Sequence, residues 1–201
     1  MSTDFIYLAS ASPRRRELLQ QIGVSFRVLG AAIDEAVLPG EAPAAYVARV
    51  AAAKAGSGWQ GSREAAEVPV LAADTAVVLD GKILGKPKDR RDAEGMLQQL
   101  SGRTHEVLTA VALRTAGGLQ STLSRSEVTF RPVSAREAQA YWETGEPHDK
   151  AGAYAIQGRA AVFIADLRGS FSGVMGLPLF ETAELLSAAG VPHWHAAGQA
   201  R

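Results

Sequence analysis

The sequence contains no cysteine and no excess of charge of either sign. The first absence excludes disulfides, thiolate metal sites and thiol nucleophiles together. Lys plus Arg and Asp plus Glu both number 21, so the chain has no overall field that would attract nucleic acid or an anionic membrane. We therefore expect neither as a partner, and any anion must be held by a local cluster of basic side chains.

A targeting signal is also missing. The first four residues include an acid where a signal peptide carries basic residues, and the apolar run over 5–9 is too short for a signal peptide or a membrane span. These features predict a cytoplasmic protein.

The common motifs of several enzyme classes are absent. The chain has no Gly-x-x-x-x-Gly-Lys-Ser/Thr loop, and the serines within 169–173 lack the spacing of a Gly-x-Ser-x-Gly elbow. No metal-binding spacing is formed by the four histidines, His105, His148, His193 and His195. These absences argue against a P-loop nucleotidase, a serine hydrolase and a histidine metal site.

Periodic apolar residues are present along most of the chain. They predict strands over 5–9, 25–29, 68–73, 76–79, 83–87, 107–114, 121–131 and 162–165, with the strand at 68–73 ending in Asp74-Thr75. They predict helices over 13–23, 43–56, 91–100, 134–145 and 178–189. The glycine-rich segments 149–158 and 169–176 predict loops.

This order of elements indicates the fold class. Adjacent hairpins imply antiparallel pairing, and their interleaving with helices predicts a mixed-sheet α/β (α+β) fold instead of a purely parallel sheet. A chain of 201 residues with 47% hydrophobic residues has enough apolar material for one domain. We predict a single domain over 1–191 and a flexible tail over 192–201.

Three arginines, Arg14, Arg15 and Arg16, crowd the first turn of the predicted helix that follows Pro13. The helix dipole disfavours cations there. A phosphate bound at this N-terminus, beside Ser10 and Ser12, would explain them. The alternative is that the arginines point to solvent.

Acidic side chains at the ends of predicted strands are candidate metal ligands. Glu35 follows one strand and Asp74 another, and carboxylate oxygens suit Mg²⁺ or Mn²⁺. Lys54 shares a helical stripe with Val47 and Val50, which is also typical of a lysine that extends to solvent at the edge of an apolar face.

A series of short motifs extends over roughly residues 5–190. The motifs are Leu8-Ala9-Ser10-Ala11-Ser12-Pro13-Arg14-Arg15, Asp34-Glu35, Ala73-Asp74-Thr75, Gly85-Lys86-Pro87, Leu100-Ser101-Gly102, Asp149-Lys150-Ala151-Gly152-Ala153-Tyr154, Ile156-Gln157-Gly158 and Gly176-Leu177-Pro178-Leu179. Taken together and in this order, they resemble the Maf family.

The resemblance implies hydrolysis of a nucleoside triphosphate between its α and β phosphates, giving a nucleoside monophosphate and pyrophosphate. It implies an elongated mixed sheet with flanking helices and two lobes around a cleft, similar to the inosine triphosphate pyrophosphatases, and a homodimer. By motif matching, Asp74 takes the catalytic proton-acceptor position, and Glu35 and Asp74 take the positions of the divalent-metal site. The matching substrate-binding positions are Ser10, Arg14, Arg15, Lys54, Lys86 and Lys150.

The branch of the family that acts on dTTP and UTP resembles this chain at Arg14, Thr75 and Gln157. An amide at Gln157 can both donate to and accept from the O4 and N3–H edge of uracil or thymine. Ala155 departs from the family, which commonly has glycine there, and a positive φ at that position would alter the loop. The alternatives are a 7-methylguanosine triphosphate pyrophosphatase and a regulatory protein of division or septum formation that only binds a nucleotide.

Overall fold

A computed structural model describes residues 5–61 and 68–194 of the chain. The acidic segment at 1–4 and the part of the predicted tail at 195–201 lie outside the described residues. Within the described part, no helix is long and apolar enough to cross a lipid bilayer.

The described residues form seven strands and six α-helices. Short 3-10 turns over Glu146–Asp149, Ala151–Ala153 and Arg159–Phe163 lie between α4 and β7. In chain order the elements are β1 (Ile6–Leu8), α1 (Pro13–Gln21), β2 (Phe26–Val28), α2 (Pro43–Gly61), β3 (Val70–Leu79), β4 (Lys82–Leu84), α3 (Arg90–Leu100), β5 (Thr104–Thr115), β6 (Gly118–Phe130), α4 (Ala135–Glu143), β7 (Ile164–Arg168), α5 (Phe171–Met175) and α6 (Leu179–Ala188).

The strands form one mixed sheet in the order β2-β1-β3-β5-β6-β7, with β4 beside β3. β1 runs parallel to β2 and β3, and the β3–β4, β3–β5, β5–β6 and β6–β7 pairs are antiparallel. The predicted mixed α/β fold with flanking helices is therefore confirmed.

A gap interrupts one edge of β3. β1 pairs with the beginning of β3, at Val70 and Leu71, and β4 pairs with its end, from Val77 onward. Both strands lie on the same side of β3, so no described strand pairs with residues 72–76 there. Side chains from both faces of the sheet can therefore meet at this gap.

Helices cover both faces of the sheet. Val70 and Ala72 of β3 pack in one cluster with Val47 of α2. Leu71, whose side chain alternates to the opposite face, packs in another cluster with Leu19 of α1. The gap in β3 thus lies between α2 on one face and α1 on the other.

The prediction that a strand ends at Asp74 is wrong, because β3 continues from Val70 to Leu79. A buried carboxylate within a strand is costly unless it is paired. Lys54 of α2 supplies the partner, so the acid interrupts the apolar sequence without ending the strand.

The predicted end of α2 is also wrong, because the helix continues through Gly56 and Gly58 to Gly61. A Cβ on Gly58 would lie 3.0 Å from Val70 and 3.1 Å from Ala9. Gly58 therefore permits a close approach of the helix to the sheet and does not terminate it.

Two further differences lie near the C-terminus. The predicted loop over 169–176 contains α5, because Ser170 accepts a hydrogen bond from Gly173 N–H at its start and Gly176, with φ of 119°, ends it. The last strand is shifted to Ile164–Arg168, because Val162 belongs to the preceding 3-10 turn.

Candidate active site

A cleft of about 600 Å³ opens at the gap in β3. Because the gap exposes both faces of the sheet, the cleft has walls from α1, α2 and the segments that follow β4 and α4. All residues predicted to bind substrate or metal line it: Ser10, Arg14, Arg15, Glu35, Lys54, Asp74, Thr75, Lys86, Lys150 and Gln157.

Asp74 lies on the face of β3 that α2 covers and is only 6% exposed. Its Oδ1 accepts a hydrogen bond from Lys54 Nζ at 2.8 Å. The same ammonium lies 3.0 Å from Oε1 of Glu35, whose side chain is half exposed. Lys54 is 9% exposed, so its ammonium binds two carboxylates inside the cleft and does not extend to solvent.

The electrostatics of this face depend on burial. Burial raises the pKa of the Asp74 carboxyl above its ordinary value, although Lys54 and Arg15 oppose the shift. Burial, with the nearby charges of Asp74 and Glu35, also raises the pKa of Tyr46, which lines the cleft. An aspartate with a raised pKa is a stronger base than an exposed one.

On the opposite face, Arg15 is fixed by three bonds. Its guanidinium donates to Ser10 Oγ at 3.1 Å, to Thr75 Oγ1 at 3.3 Å and to the Gly176 carbonyl at 2.8 Å. Thr75 Oγ1 also lies 2.9 Å from the hydroxyl of Thr109. Burial lowers the pKa of Arg15 from its ordinary value, but an arginine remains charged in proteins.

Arg14 makes a longer hydrogen bond, in which its Nε donates to the Met175 carbonyl at 3.3 Å. Met175 and Gly176 lie at the C-terminal end of α5, where carbonyl groups lack helical partners. These carbonyls are an independent reason for basic residues in the first turn of α1. Ser12 occupies the N-cap position of α1, but its side chain makes no capping hydrogen bond.

The remaining predicted residues that line the cleft are Lys86, Lys150 and Gln157. Lys86 is exposed and follows β4, and Gln157 is exposed on the loop after α4. Lys150 is partly buried and forms an ion pair with Asp149. The cleft therefore contains the cations Lys86 and Lys150 in addition to the Lys54–Asp74 ion pair.

The carboxylates of Glu35 and Asp74 are the candidate metal ligands. Glu35 and Asp74 are hard oxygen donors, and Mg²⁺ is often held by one or two carboxylates together with water and substrate phosphates. No third His, Cys, Asp or Glu joins them in residues 5–61 and 68–194. Glu35 and Asp74 could supply two oxygen ligands to Mg²⁺ or Mn²⁺, in place of the Lys54 ammonium that contacts both carboxylates.

Comparison with protein families matches residues 5–189 to the model described as Maf-like protein. The chain belongs to the Maf family.

Curated relatives of this Maf-family chain carry a common name. A protein of Nitrosomonas europaea is 54% identical over 92% of this chain and 95% of its own length, and is named dTTP/UTP pyrophosphatase. Proteins of the same name from Cupriavidus metallidurans and Burkholderia pseudomallei are 54% and 58% identical, over 94% of this chain and 98% and 96% of their own lengths. Among solved structures, the Staphylococcus aureus Ham1 protein matches with a TM-score of 0.38 and 13% identity over 65% of this chain and 72% of that one.

Ala155, the departure from the Maf pattern, does not require the conformation of glycine. The described residues other than glycine that have positive φ are Asp80, Ala153 and Trp194. Ala155 is 5% exposed, and its N–H donates to the Tyr141 hydroxyl at 3.1 Å. Alanine therefore fits this position without backbone strain.

Sequence reasoning missed two aromatic residues of the cleft, Tyr46 and Tyr154. Tyr46 lies two helical turns before Lys54 on the same stripe of α2, a spacing that could have identified it. Tyr154 gives no such local signal, because it lies in an irregular segment and reaches the cleft through its packing against Phe130 and His105.

Proposed function

We propose that this Maf-family chain hydrolyses dTTP and UTP to the nucleoside monophosphate and pyrophosphate. The observation that carries the proposal is the buried carboxylate of Asp74, held by Lys54 in a cleft that also contains Arg14, Lys86 and Lys150. A base facing a cluster of cations suits the attack of water on a polyanion. The name shared by the curated relatives supports the choice of substrate.

In this proposal Asp74 takes a proton from a water molecule. The water oxygen forms a bond to the α phosphorus, and the bond from that phosphorus to the oxygen bridging to the β phosphate breaks. The electron pair stays on the departing pyrophosphate. In the metal-free site burial raises the pKa of Asp74, which makes the carboxylate a stronger base. A metal ion bound to the same carboxylate would oppose that shift.

Cations and hydroxyl groups stabilise the charge that develops on pyrophosphate. Arg14, Lys86 and Lys150 contact the phosphates directly. Arg15 is already held by Ser10 and Thr75, so its position requires little reorganisation when substrate binds.

The metal ion is the second part of the proposal. Glu35 and Asp74 would hold Mg²⁺ or Mn²⁺, which neutralises charge on the phosphate oxygens when bound. Activity should therefore be lost in EDTA and restored by either ion. A homodimer and a cytoplasmic location stay predictions.

Gln157 is the group that we propose reads the base. Its exposed amide can accept from N3–H and donate to O4 of uracil or thymine, whereas cytosine presents the opposite pattern at both positions. We propose that the amide is held with its oxygen toward N3–H, because an amide turned over would match cytosine equally. UTP should then be preferred to CTP.

Pyrophosphate release tests the proposal, with Mn²⁺ or Mg²⁺ and with dTTP, UTP, CTP, GTP and 7-methylguanosine triphosphate as substrates. Asp74→Asn retains an oxygen for Lys54 but loses the base, and should lower kcat by roughly 10²-fold or more. Asp80→Asn, in the exposed turn between β3 and β4, is the matched control and should keep full activity.

Three results would contradict parts of this proposal. A preference for 7-methylguanosine triphosphate would overturn the role of Gln157. Full activity of the Asp74→Asn protein would contradict the role of Asp74 as the catalytic base. Absence of hydrolysis with every nucleotide would contradict the proposed enzymatic activity and favour a nucleotide-binding regulator.

A further inference from the structure

Gln157 lies in a tight four-residue turn. Gly158 N–H donates to the Ala155 carbonyl at 3.0 Å, so Ile156 and Gln157 are its central residues. Ile156 is buried in the core beneath the turn, whereas Gln157 is exposed and lines the cleft. The position of the Gln157 amide therefore depends on what holds the two ends of the turn.

Tyr141 of α4 holds the first end. Its hydroxyl accepts a hydrogen bond from Ala155 N–H at 3.1 Å and donates to Oε1 of Glu146 at 2.6 Å. Tyr141 is 4% exposed, so both bonds are shielded from water.

Glu146 holds the second end. Its Oε2 accepts from Arg159 N–H at 3.0 Å and its Oε1 from Ala160 N–H at 3.5 Å. These amides begin the 3-10 turn after Gly158, which provides no side-chain cap of its own. The Glu146 carboxylate therefore takes the place of the missing cap.

The carboxylate of Glu146 lies very close to the backbone at Gly158. A Cβ on Gly158 would overlap the carboxylate of Glu146, so a side chain there would displace the carboxylate. Partial burial raises the pKa of Glu146, but the hydrogen bonds from Tyr141 and the backbone lower it by more, so the net shift is downward. The group is ionised at neutral pH, and it binds the second end of the turn directly and the first end through the Tyr141 hydroxyl.

We propose that Tyr141 and Glu146 are positioning residues that set the discrimination between pyrimidine bases by fixing the turn that carries Gln157. The inference rests on the proposed role of Gln157 in reading the base. Neither Tyr141 nor Glu146 lines the cleft, so both act through the turn. An amide that must match donors and acceptors on a base needs a fixed backbone, because a shift of about 0.5 Å already weakens such a site.

The test compares kcat/KM for UTP with kcat/KM for CTP. Tyr141→Phe removes the bond to Ala155, and Glu146→Gln replaces one acceptor oxygen with a donor that faces another donor. Each variant should lower the UTP to CTP ratio about three- to tenfold, the effect of one lost hydrogen bond. Glu137→Gln, on α4, is the matched control, because the Glu137 carboxylate also accepts hydrogen bonds but contacts no part of the turn, and its ratio should be unchanged.

The Gln157→Ala variant distinguishes a failure of this inference from a failure of the proposed function. If Tyr141 and Glu146 act through Gln157, their substitutions should not lower the ratio further in the Gln157→Ala background. A ratio that falls in the Gln157→Ala protein but not in the Tyr141→Phe or Glu146→Gln protein would overturn the positioning role alone. A ratio that Gln157→Ala leaves unchanged, or a wild-type chain that hydrolyses neither nucleotide, would overturn the proposed function and this inference with it.

Discussion

Acidification should destabilise this protein through His105. The side chain is 3% exposed on β5, and its Nε2 lies 2.8 Å from the Tyr154 hydroxyl. Its Nδ1 has no hydrogen-bond partner among the described residues. Burial lowers the pKa of His105 to about 4, so the folded protein holds this imidazole neutral at pH 5 and above.

The size of the effect follows from the two pKa values. In the unfolded chain the imidazole takes up a proton below about pH 6.5, whereas the folded chain takes up none until about pH 4. The unfolded state binds more protons in this window, so stability falls as the pH falls through it. A shift from 6.5 to about 4 corresponds to a loss of about 3 kcal/mol, of which about 2 kcal/mol falls between pH 7 and pH 5.

Urea unfolding at pH 7 and pH 5 measures this difference. His105→Phe keeps an aromatic ring in the cluster but cannot titrate, so its stability should differ by about 2 kcal/mol less between the two pH values. The Tyr154 hydroxyl loses its partner in the variant, which lowers stability equally at both. Glu41 and Glu137, whose pKa values are lowered to about 2, titrate below this window in both states. An equal pH dependence in the wild type and the variant would refute the reasoning.

Four further substitutions probe the cleft and the packing beside it. Lys54→Met leaves the Asp74 carboxylate buried without its ammonium partner, so it should lower the free energy of unfolding in urea by about 3 kcal/mol. It should also move the acid limb of the pH–rate profile to higher pH. An unmoved limb would argue against Asp74 as the base. Gly152→Ala places a Cβ 2.9 Å from a β3 side chain at φ of +67°, so it should lower the unfolding free energy by about 1–3 kcal/mol; wild-type stability would contradict the close approach. Arg15→Ala should lower stability as well as activity because the guanidinium makes three bonds, whereas Arg14→Ala should mainly raise KM for UTP; the reverse pattern in unfolding and kinetic assays would exchange their roles.

Much of the secondary structure follows from local signals in the sequence. Ser134 and Glu137, which have the spacing of a capping box, form one at the start of α4, and the Asp80-Gly81 turn joins β3 to β4 with Asp80 at φ of 50°. Such signals act between residues only a few positions apart. The gap in β3 has no local signal, because it depends on two separate strands pairing with the same edge.

The site shows the same division between local and tertiary information. Motif matching selected Asp74, Glu35 and Lys54, but the stripe on α2 also fitted a lysine that extends to solvent. The choice depends on how α2 lies over β3, since that packing places the ammonium against Asp74. Tyr141 and Glu146 could not be found in advance, because their bonds to the turn form only when α4 packs against it.

The gap in β3 also has a consequence for solubility. The Leu71 carbonyl accepts a hydrogen bond from Ala9 of the β1 side, so by the alternation of a strand the main-chain groups of Ala73 and Thr75 point into the gap. Unpaired edges of this kind invite pairing with strands of other molecules and hence aggregation. Here β1 and β4 close both ends, so an incoming strand cannot extend along these groups.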